Sequence, residues 1–515
     1  MKANILWADD EIDLLKPHIL FLEDKGYNVT AVCSGTDALE ELQGKAVDLV
    51  LLDEQMPGPS GLDTLREIKR RWPAIPVVMV TKSEEEYVME DALGGKISDY
   101  LVKPVSPSQL LLTVKRLTEG HQLRQEHSLV DYQRQFRELS LQLDGGLDAD
   151  GWCDMQRRLV RWDLELSNLD DRNVHDILMT QRKDANRLFC KYFEIHYPQW
   201  LQGLEEKPLM SHTLLRERLF PLLEGDQSVF LIVIDNFRYD QWKTVQPILS
   251  QYMRVERDEP YYALIPTTTQ FARNAMFAGL LPGEIERKYP QYWVNEDEDG
   301  HKNQFESELL SENLKRHGLN LKHSYHKVLN AQYGMKLIDR IPELLRNKLN
   351  VVVYNFIDML SHARTDSHIV RELASDERAY RSLTLSWMEH SPLLSLIKAL
   401  ADRKAVVLLT TDHGSVRIDR PVRVKGDRDI SVNLRYKQGR LLDYNPRDVF
   451  EVKKPESIFL PRRHVTGNYI FCRENDFFAY PNNYNQYVQY YTDTFQHGGI
   501  SMEEVLVPVA VLCTK

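Results

Sequence analysis

The sequence predicts an α/β protein in three parts: a doubly wound domain over residues 1–118, an all-helical connector over 119–206, and a larger α/β domain over 207–515 with a cap insertion. Three observations carry this reading. Short apolar runs alternate with amphipathic stretches at both ends of the chain, the rhythm of strands buried in a parallel sheet. Such runs vanish between Glu119 and Glu206, where charged residues interleave with Leu, Phe, Trp and Tyr at helical spacing. A length of 515 residues, at roughly 150 per domain, argues for about three cores rather than one.

In the first part, Ile5–Ala8, Leu49–Leu52, Val77–Val80 and Tyr100–Val102 read as buried strands. In the connector, Asp144-Gly145-Gly146-Leu147-Asp148 predicts a loop between helices. Strand signals return at Val229–Ile234, Val351–Ile357 and Ala405–Thr411, each followed directly by an acid. The polar stretch from Gly283 to about Lys348, which includes Glu296-Asp297-Glu298-Asp299-Gly300, predicts a helical insertion or cap.

Composition narrows the function classes. Hydrophobic residues make up 43% and charged residues 27%, which is ordinary globular usage and excludes dominant disorder. The net charge of -11 argues against a chain built around phosphate-backbone attraction, while leaving room for a local basic cleft. Cys33, Cys153, Cys190, Cys472 and Cys513 are odd in number and scattered, so neither a disulfide framework nor a thiolate zinc site is expected, and a reducing cytoplasm fits. Asp9, Asp10 and Glu11 interrupt the first apolar run before a signal peptide could form, and no window is apolar enough for a membrane span. The expected location is cytoplasmic, without membrane insertion.

Asp9, Asp10, Asp53, Thr81 and Lys103-Pro104 all fall where predicted strands end, and in a doubly wound sheet those ends converge on one crevice. Three carboxylates in one pocket repel unless a hard cation such as Mg²⁺ neutralises them. A carboxylate beside that cation can accept a phosphoryl group, which a lysine and a hydroxyl can then hold. With Asp53-Glu54-Gln55-Met56-Pro57, Gly61 and Tyr100, this set resembles a response-regulator receiver domain. The resemblance implies Asp53 as phosphoryl acceptor and Asp10 and Asp53 as magnesium ligands supported by Asp9. It also implies Lys103 and Thr81 as readers of the phosphate and Tyr100 as the switch residue.

A second set lies in the third part: Asp235, Asp358 with His362, Asp412 with His413, and His497. Asp358 and His362 are spaced i to i+4, so a helix beginning just after the strand would project both from one face. Mixed Asp and His ligation suits zinc, or manganese as a competitor, and six ligands divide naturally into two half-sites. Thr267, Thr268 and Thr269 supply hydroxyls in a turn after an apolar run, and a metal can activate a threonine alkoxide. Asn236, Arg273 and Asn274 are candidate phosphate contacts, although an arginine there is more often a salt-bridge donor. Basic residues from Arg417 to Lys437, with Arg462-Arg463-His464 and Tyr484, Tyr487, Tyr490 and Tyr491, read either as an oligonucleotide surface or as solvated charges and half-buried tyrosines.

The ordered features Ile234–Asp240, the Pro-Thr-Thr-Thr turn leading to Ala278-Gly279-Leu280-Leu281-Pro282, Asp358 to His362, Thr411-Asp412-His413-Gly414 and His497–Ser501 resemble the PglZ-type domains of the alkaline phosphatase superfamily. The resemblance implies one zinc held by Asp235, Asp412, His413 and the nucleophile, and a second held by Asp358, His362 and His497. It favours Thr269 as nucleophile from its spacing of ten residues to Gly279, with Thr268 as the alternative. No Cys-x-Pro-x-Arg sulfatase signature occurs.

Receiver, helical connector and PglZ-like domain together resemble the PorX-type response regulators. That resemblance implies a sensor histidine kinase as donor, a phosphorylation-promoted homodimer, and contacts with an extracytoplasmic-function sigma factor or a secretion-motor protein; the helical connector is read as the bistable element between the domains. It further implies a role in type IX secretion and phosphodiesterase activity on cyclic and linear oligonucleotides. The competing expectation is a binding platform for such a partner with incidental hydrolysis. A DNA-binding regulator ranks lower, since no recognition-helix motif stands out.

Overall fold

The computed structural model describes residues 3–81, 97–118, 120–167, 172–295, 301–426, 431–462 and 467–515. The run Glu296–Gly300 and residues Arg463 and His464 lie outside the described residues. The chain forms two compact units, Met1–Arg134 and Gln135–Lys515, taken here one at a time.

In the first unit, β1 (Asn4–Ala8), β2 (Asn28–Val32), β3 (Leu49–Asp53), β4 (Val77–Thr81) and β5 (Asp99–Val102) form a parallel sheet in the order β2-β1-β3-β4-β5. Every residue of β3 is buried, because its two faces look into separate apolar cores: Leu49 and Leu51 into one, Val50 and Leu52 into the other. Ser34 and Ser60 cap the helices Gly35–Gly44 and Gly61–Arg71, accepting from the Asp37 and Asp63 amides, and Lys69, Arg70 and Arg71 suit the negative end of the second helix. The strand order reverses between β1 and β3, so a crevice opens at their carboxyl ends.

The second unit includes the helices Ala149–Leu166 and Arg172–Gln202. The expected loop is present: helix ends at Gly145, Gly146 has φ 78°, and the Asp148 side chain caps the next helix from Gly151 N at 2.8 Å. Trp152, Phe189, Phe193, Tyr197 and Trp200 pack these helices against Tyr262.

The main sheet contains β6 (Val229–Ile234), β7 (Met253–Tyr262), β8 (His323–Val328), β9 (Leu349–Tyr354), β10 (Val406–Thr410) and the strand Leu506–Thr514. Their order is β7, Leu506–Thr514, β10, β6, β9, β8, and the four members from β10 to β8 run parallel. Phe230, Ile232, Ile234, Val352, Tyr354, Val407 and Leu409 enter one large core; the alternate residues Leu231, Val233, Val353 and Leu408 are equally buried on the opposite face.

Two elements differ from the sequence reading. The stretch expected to be a helical cap contains β8, an edge strand whose polar alternation, His-Ser-Tyr-His-Lys-Val, hides it from a search for apolar runs. The strand expected to reach Ile357 stops at Tyr354, and the helix Phe356–Asp366 starts after Asn355 turns the chain with φ −98° and ψ 10°. No helix among the described residues is long and apolar enough to cross a membrane.

Candidate functional site

In the larger unit, Asp235 follows β6, Asp412 follows β10 by one residue, and Asp358 sits in the first turn of the helix after β9, so the parallel strands bring all three to one sheet edge. The turn after β10 is packed tightly, since a Cβ on Gly414 would run into the Glu503 carbonyl. Gly498, at φ 121°, lets the chain reverse beside His497. Two groups of donor atoms result, each within 4.8 Å: Asp235 with Asp412 and His413, and Asp358 with His362 and His497. The groups adjoin, because the His413 and His497 rings stack with centroids 4.3 Å apart.

Proton placement prepares both imidazoles. His413 Nδ1 lies 3.1 Å from the Gly414 carbonyl and His497 Nδ1 lies 3.0 Å from the Thr267 carbonyl. A carbonyl only accepts, so each Nδ1 carries the proton and each Nε2 offers a lone pair. His413 Nε2 is 3.5 Å from Asp412 Oδ2, and His497 Nε2 is 3.6 Å from Asp358 Oδ1. Burial pushes His497 down to about 4 and lowers His413, keeping both rings neutral.

The carboxylates split by environment. Burial pushes Asp235 up to about 7, against the pull of Arg273, and raises Asp412. Burial also opposes ionisation of Asp358, but the hydrogen bond from His362, first among the influences that lower it, holds the group well below its ordinary value. Asp412 Oδ2 and His413 Nε2 are buried with no hydrogen-bond partner. These orphaned acceptors fit a divalent cation at the Asp235, Asp412 and His413 group, and the adjoining Asp358, His362 and His497 group offers the same donor types for a second.

Thr269 opens the helical stretch Thr269–Ala278, and its Oγ1 lies 3.4 Å from Asp235 Oδ1. Thr267 is committed elsewhere, its hydroxyl donating to the Gly499 carbonyl at 3.0 Å and accepting from Gly498 N at 2.9 Å. The Thr268 hydroxyl is buried without a hydrogen-bond partner. Asn236, at φ 60° and fully buried, bridges the two groups: its amide N reaches Asp412 Oδ1 at 3.3 Å and its Nδ2 reaches Asp358 Oδ1 at 3.3 Å.

Arg273, a candidate phosphate contact or a surface salt-bridge donor in the sequence, is a salt-bridge donor but a fully buried one behind the acids, with Nη1 2.9 Å from Asp235 Oδ2 and Nε 2.7 Å from Glu306 Oε1. Asn274, also buried, donates to the Lys302 carbonyl at 3.0 Å. Arg273 and Glu306 form a counter-charge layer that no motif announced; a buried arginine four residues into the nucleophile-side helix was the available sign. Of the expected basic patch, Arg435 and Lys437 are buried and Arg417 pairs with Asp493 at 3.0 Å. Tyr484, Tyr487 and Tyr491 pack against a small core around Ile418 and Phe477, while Tyr490 is exposed.

The connector reaches toward the same centre. Arg182 pairs with Asp163 at 2.8 Å and with Glu503 at 3.2 Å, and Arg381 joins Asp163 (2.7 Å) to Asp240 (3.1 Å). The acids Asp163, Asp240 and Glu377 lie close enough to resemble a metal cluster, but Arg182, Arg238 and Arg381 already neutralise them. Asn186 accepts from Met502 N at 2.8 Å, and Cys190 donates to the Ile500 carbonyl at 3.3 Å, just beyond His497.

In the first unit, Asp9 and Asp53 are buried, Asp10 is exposed, and the three carboxylates gather within 4.8 Å. Lys103 Nζ lies 2.9 Å from Asp9 Oδ2 and 2.8 Å from Asp53 Oδ1. Burial raises Asp53, with Lys103 opposing, and its Oδ2 is buried with no hydrogen-bond partner, which fits a hard cation at this trio. Thr81 ends β4 opposite Val102, and Tyr100 is half-buried on β5. The Thr81 side chain lies outside the described residues.

Comparison with known proteins agrees with this layout. The response regulator receiver domain family matches residues 5–115, the PorX response regulator linker domain matches 122–201, and the BREX system PglZ alkaline phosphatase-like domain matches 214–512, more than half of the chain. The chain belongs to the PorX-type response regulators. Two curated relatives of this PorX-type regulator each match about a quarter of the chain. It is 37% identical over 122 residues to the alginate biosynthesis transcriptional regulatory protein AlgB of Pseudomonas putida, which is 24% of this chain and 27% of that protein. It is 33% identical over 139 residues to the response regulator SaeR of Staphylococcus aureus, 27% of this chain and 60% of that one. The chain thus spans about a quarter of AlgB and three fifths of SaeR. Solved receiver domains from Methanospirillum hungatei JF-1 (27% identity, 23% of this chain, 96% of that chain) and Clostridium thermocellum (31%, 24% and 98%) each align with a TM-score of 0.22. A receiver domain implies a kinase partner, and an alkaline phosphatase-like domain implies metal dependence.

Proposed function

We propose that this PorX-type regulator accepts a phosphoryl group on Asp53 from a sensor histidine kinase, and that its PglZ domain is a two-zinc phosphodiesterase for cyclic or linear oligonucleotides with Thr269 as nucleophile. The observation that carries the enzymatic reading is the Thr269 hydroxyl at 3.4 Å from Asp235, beside two adjoining Asp/His groups whose imidazoles present bare Nε2 atoms.

Asp235, Asp412 and His413 would hold one cation, and Asp358, His362 and His497 the other; bound there, the pair supplies positive charge to the phosphoryl oxygens and lowers the pKa of a nearby hydroxyl. The remaining work belongs to the chain. Thr269 Oγ1 directs its proton toward Asp235 Oδ1 and is freed to attack phosphorus, the new O–P bond forming as the bond to the leaving alkoxide breaks. Water then forms a new O–P bond as the Thr269 O–P bond breaks, releasing the phosphate monoester and restoring the Thr269 hydroxyl. Asn236 fixes the spacing between Asp412 and Asp358, and Arg273, held by Glu306, orients Asp235 and opposes the burial that raises its pKa. His362 is the most exposed member and marks the solvent side of the entrance.

At the receiver, Lys103 spans Asp9 and Asp53 and is placed to follow the charge of a phosphoryl group on Asp53, with magnesium at Asp9, Asp10 and Asp53. The connector's contacts with the Ile500–Glu503 segment give a phosphorylation-dependent homodimer a mechanical route to His497. A sigma factor or secretion-motor protein, within type IX secretion, is the partner class this reading carries for the output.

The test is turnover of short oligonucleotides and cyclic dinucleotides by zinc-loaded Thr269→Ala and Thr268→Ala proteins. Thr269→Ala should lose at least about 10³-fold in kcat with zinc retained, and Thr268→Ala should lose far less. Full turnover by Thr269→Ala would remove the nucleophile assignment.

A further inference from the structure

The side of the sheet that faces Thr269 holds a cation that the preceding account does not use. Lys327 is the penultimate residue of β8, paired in register with Val353 of β9, at the sheet edge where Asp235, Asp358 and Asp412 gather. Strand alternation puts Lys327 on the face of Tyr325, opposite Val328, whose side chain enters the large core. Tyr325 shows what covers that face: its hydroxyl donates to Glu306, which holds Arg273, and its ring meets Phe277, on the helical stretch that Thr269 opens, at 5.8 Å. Lys327 lies one step nearer the catalytic edge than Tyr325.

Its environment is uncommon for lysine. The side chain is part-buried, yet among the described residues no carboxylate lies within ion-pair distance. Burial lowers its pKa, while Glu306, Asp235 and Asp412 are close enough to act on it electrostatically. A desolvated ammonium with no acid partner costs stability unless a ligand supplies the anion. Arg273, the other nearby cation, is fully buried and consumed by Asp235 and Glu306, so it is not available to a substrate.

We propose that Lys327 is a substrate contact, its ammonium pairing with the anionic oxygens of the phosphate presented to Thr269. The assignment rests on the phosphodiesterase reading for the identity of the substrate, while phosphate binding itself does not require turnover. An ammonium–phosphate pair in a partly desolvated site corresponds to roughly a 10- to 100-fold effect on affinity.

The experiment uses zinc-loaded full-length wild type, Lys327→Gln and Lys327→Arg, with bis(p-nitrophenyl) phosphate as substrate and inorganic phosphate as competitive inhibitor and calorimetric ligand. Lys327→Gln should raise KM and weaken inorganic phosphate about tenfold or more, with zinc content unchanged and the melting temperature of the phosphate-free protein no lower than that of wild type. Lys327→Arg, which keeps the charge, should stay within about threefold of wild type. Unchanged phosphate affinity in Lys327→Gln overturns the assignment, and so does an equal loss in both variants. A wild type that binds phosphate through Lys327 but cleaves no diester would sustain the lysine assignment and refute the phosphodiesterase reading instead.

Discussion

Arg435→Met probes how the His497 loop is held. Arg435 is fully buried; its Nε donates to Glu504 Oε1 at 3.1 Å and its Nη2 to Glu504 Oε2 at 2.5 Å, and its Nη1 and Nη2 also reach the carbonyls of Arg473 (3.1 Å) and Glu474 (2.9 Å) and the Asp476 carbonyl. Glu504 in turn accepts from Gly499 N at 2.8 Å and Ser501 N at 2.9 Å, fixing the turn just after His497. Removing the guanidinium strands a buried carboxylate, which costs about 3 to 5 kcal/mol. At 1.36 kcal/mol per power of ten, protection of the Gly499–Glu504 amides should fall roughly 10²- to 10⁴-fold in native-state hydrogen exchange read by mass spectrometry. The pH dependence follows from the carboxylate. Burial opposes ionisation of Glu504, but Arg435 outweighs it and lowers its pKa, so in wild type the Glu504 contribution is present above its unfolded value, about 4.3, and lost as pH falls through the folded one. Without Arg435, burial, the largest influence on the group, is opposed only by the Gly499 and Ser501 hydrogen bonds, and the folded pKa moves up past the unfolded one. The gap between wild type and variant should therefore be largest near pH 7 and shrink toward pH 5, and Glu504→Gln in the Arg435→Met background should recover part of the loss. A gap under tenfold, or one that ignores pH, would refute the reasoning.

The other predictions concern the two metal-binding groups. Asp53→Ala should abolish acyl-phosphate formation from acetyl phosphate, measured on phosphate-affinity gels, and undiminished labelling would remove Asp53 as the acceptor. His497→Ala should lower zinc from two equivalents to about one in atomic absorption, because His413, Asp412 and Asp235 form a group of their own; loss of both equivalents would show that the half-sites bind only together.

Much of this arrangement is legible in the residues, for physical reasons that also mark the limits. β3, β6 and β10 are buried on both faces, so their apolar runs are continuous and the acids that follow them mark the sheet edge. β8 escapes because an edge strand with one polar face resembles a loop in composition. Asp358 and His362 were readable as one helical face, although the helix begins earlier than the apolar run implied. Arg273, Glu306, Arg435 and Glu504 were not readable as partners, since a buried ion pair between distant segments leaves no periodic trace. The spacing to Gly279 favoured Thr269 among three consecutive threonines, but which hydroxyl faces Asp235 leaves no sequence trace, because it depends on where each one finds its hydrogen bond.

The most direct measurement of the central claim is a rapid-quench single turnover of a ³²P-labelled diester by the zinc-loaded protein, followed by peptide mapping of the protein-bound label. Label should appear and decay during the turnover and map to Thr269. Label on Thr268, or turnover with no protein-bound phosphate at any time, would contradict it.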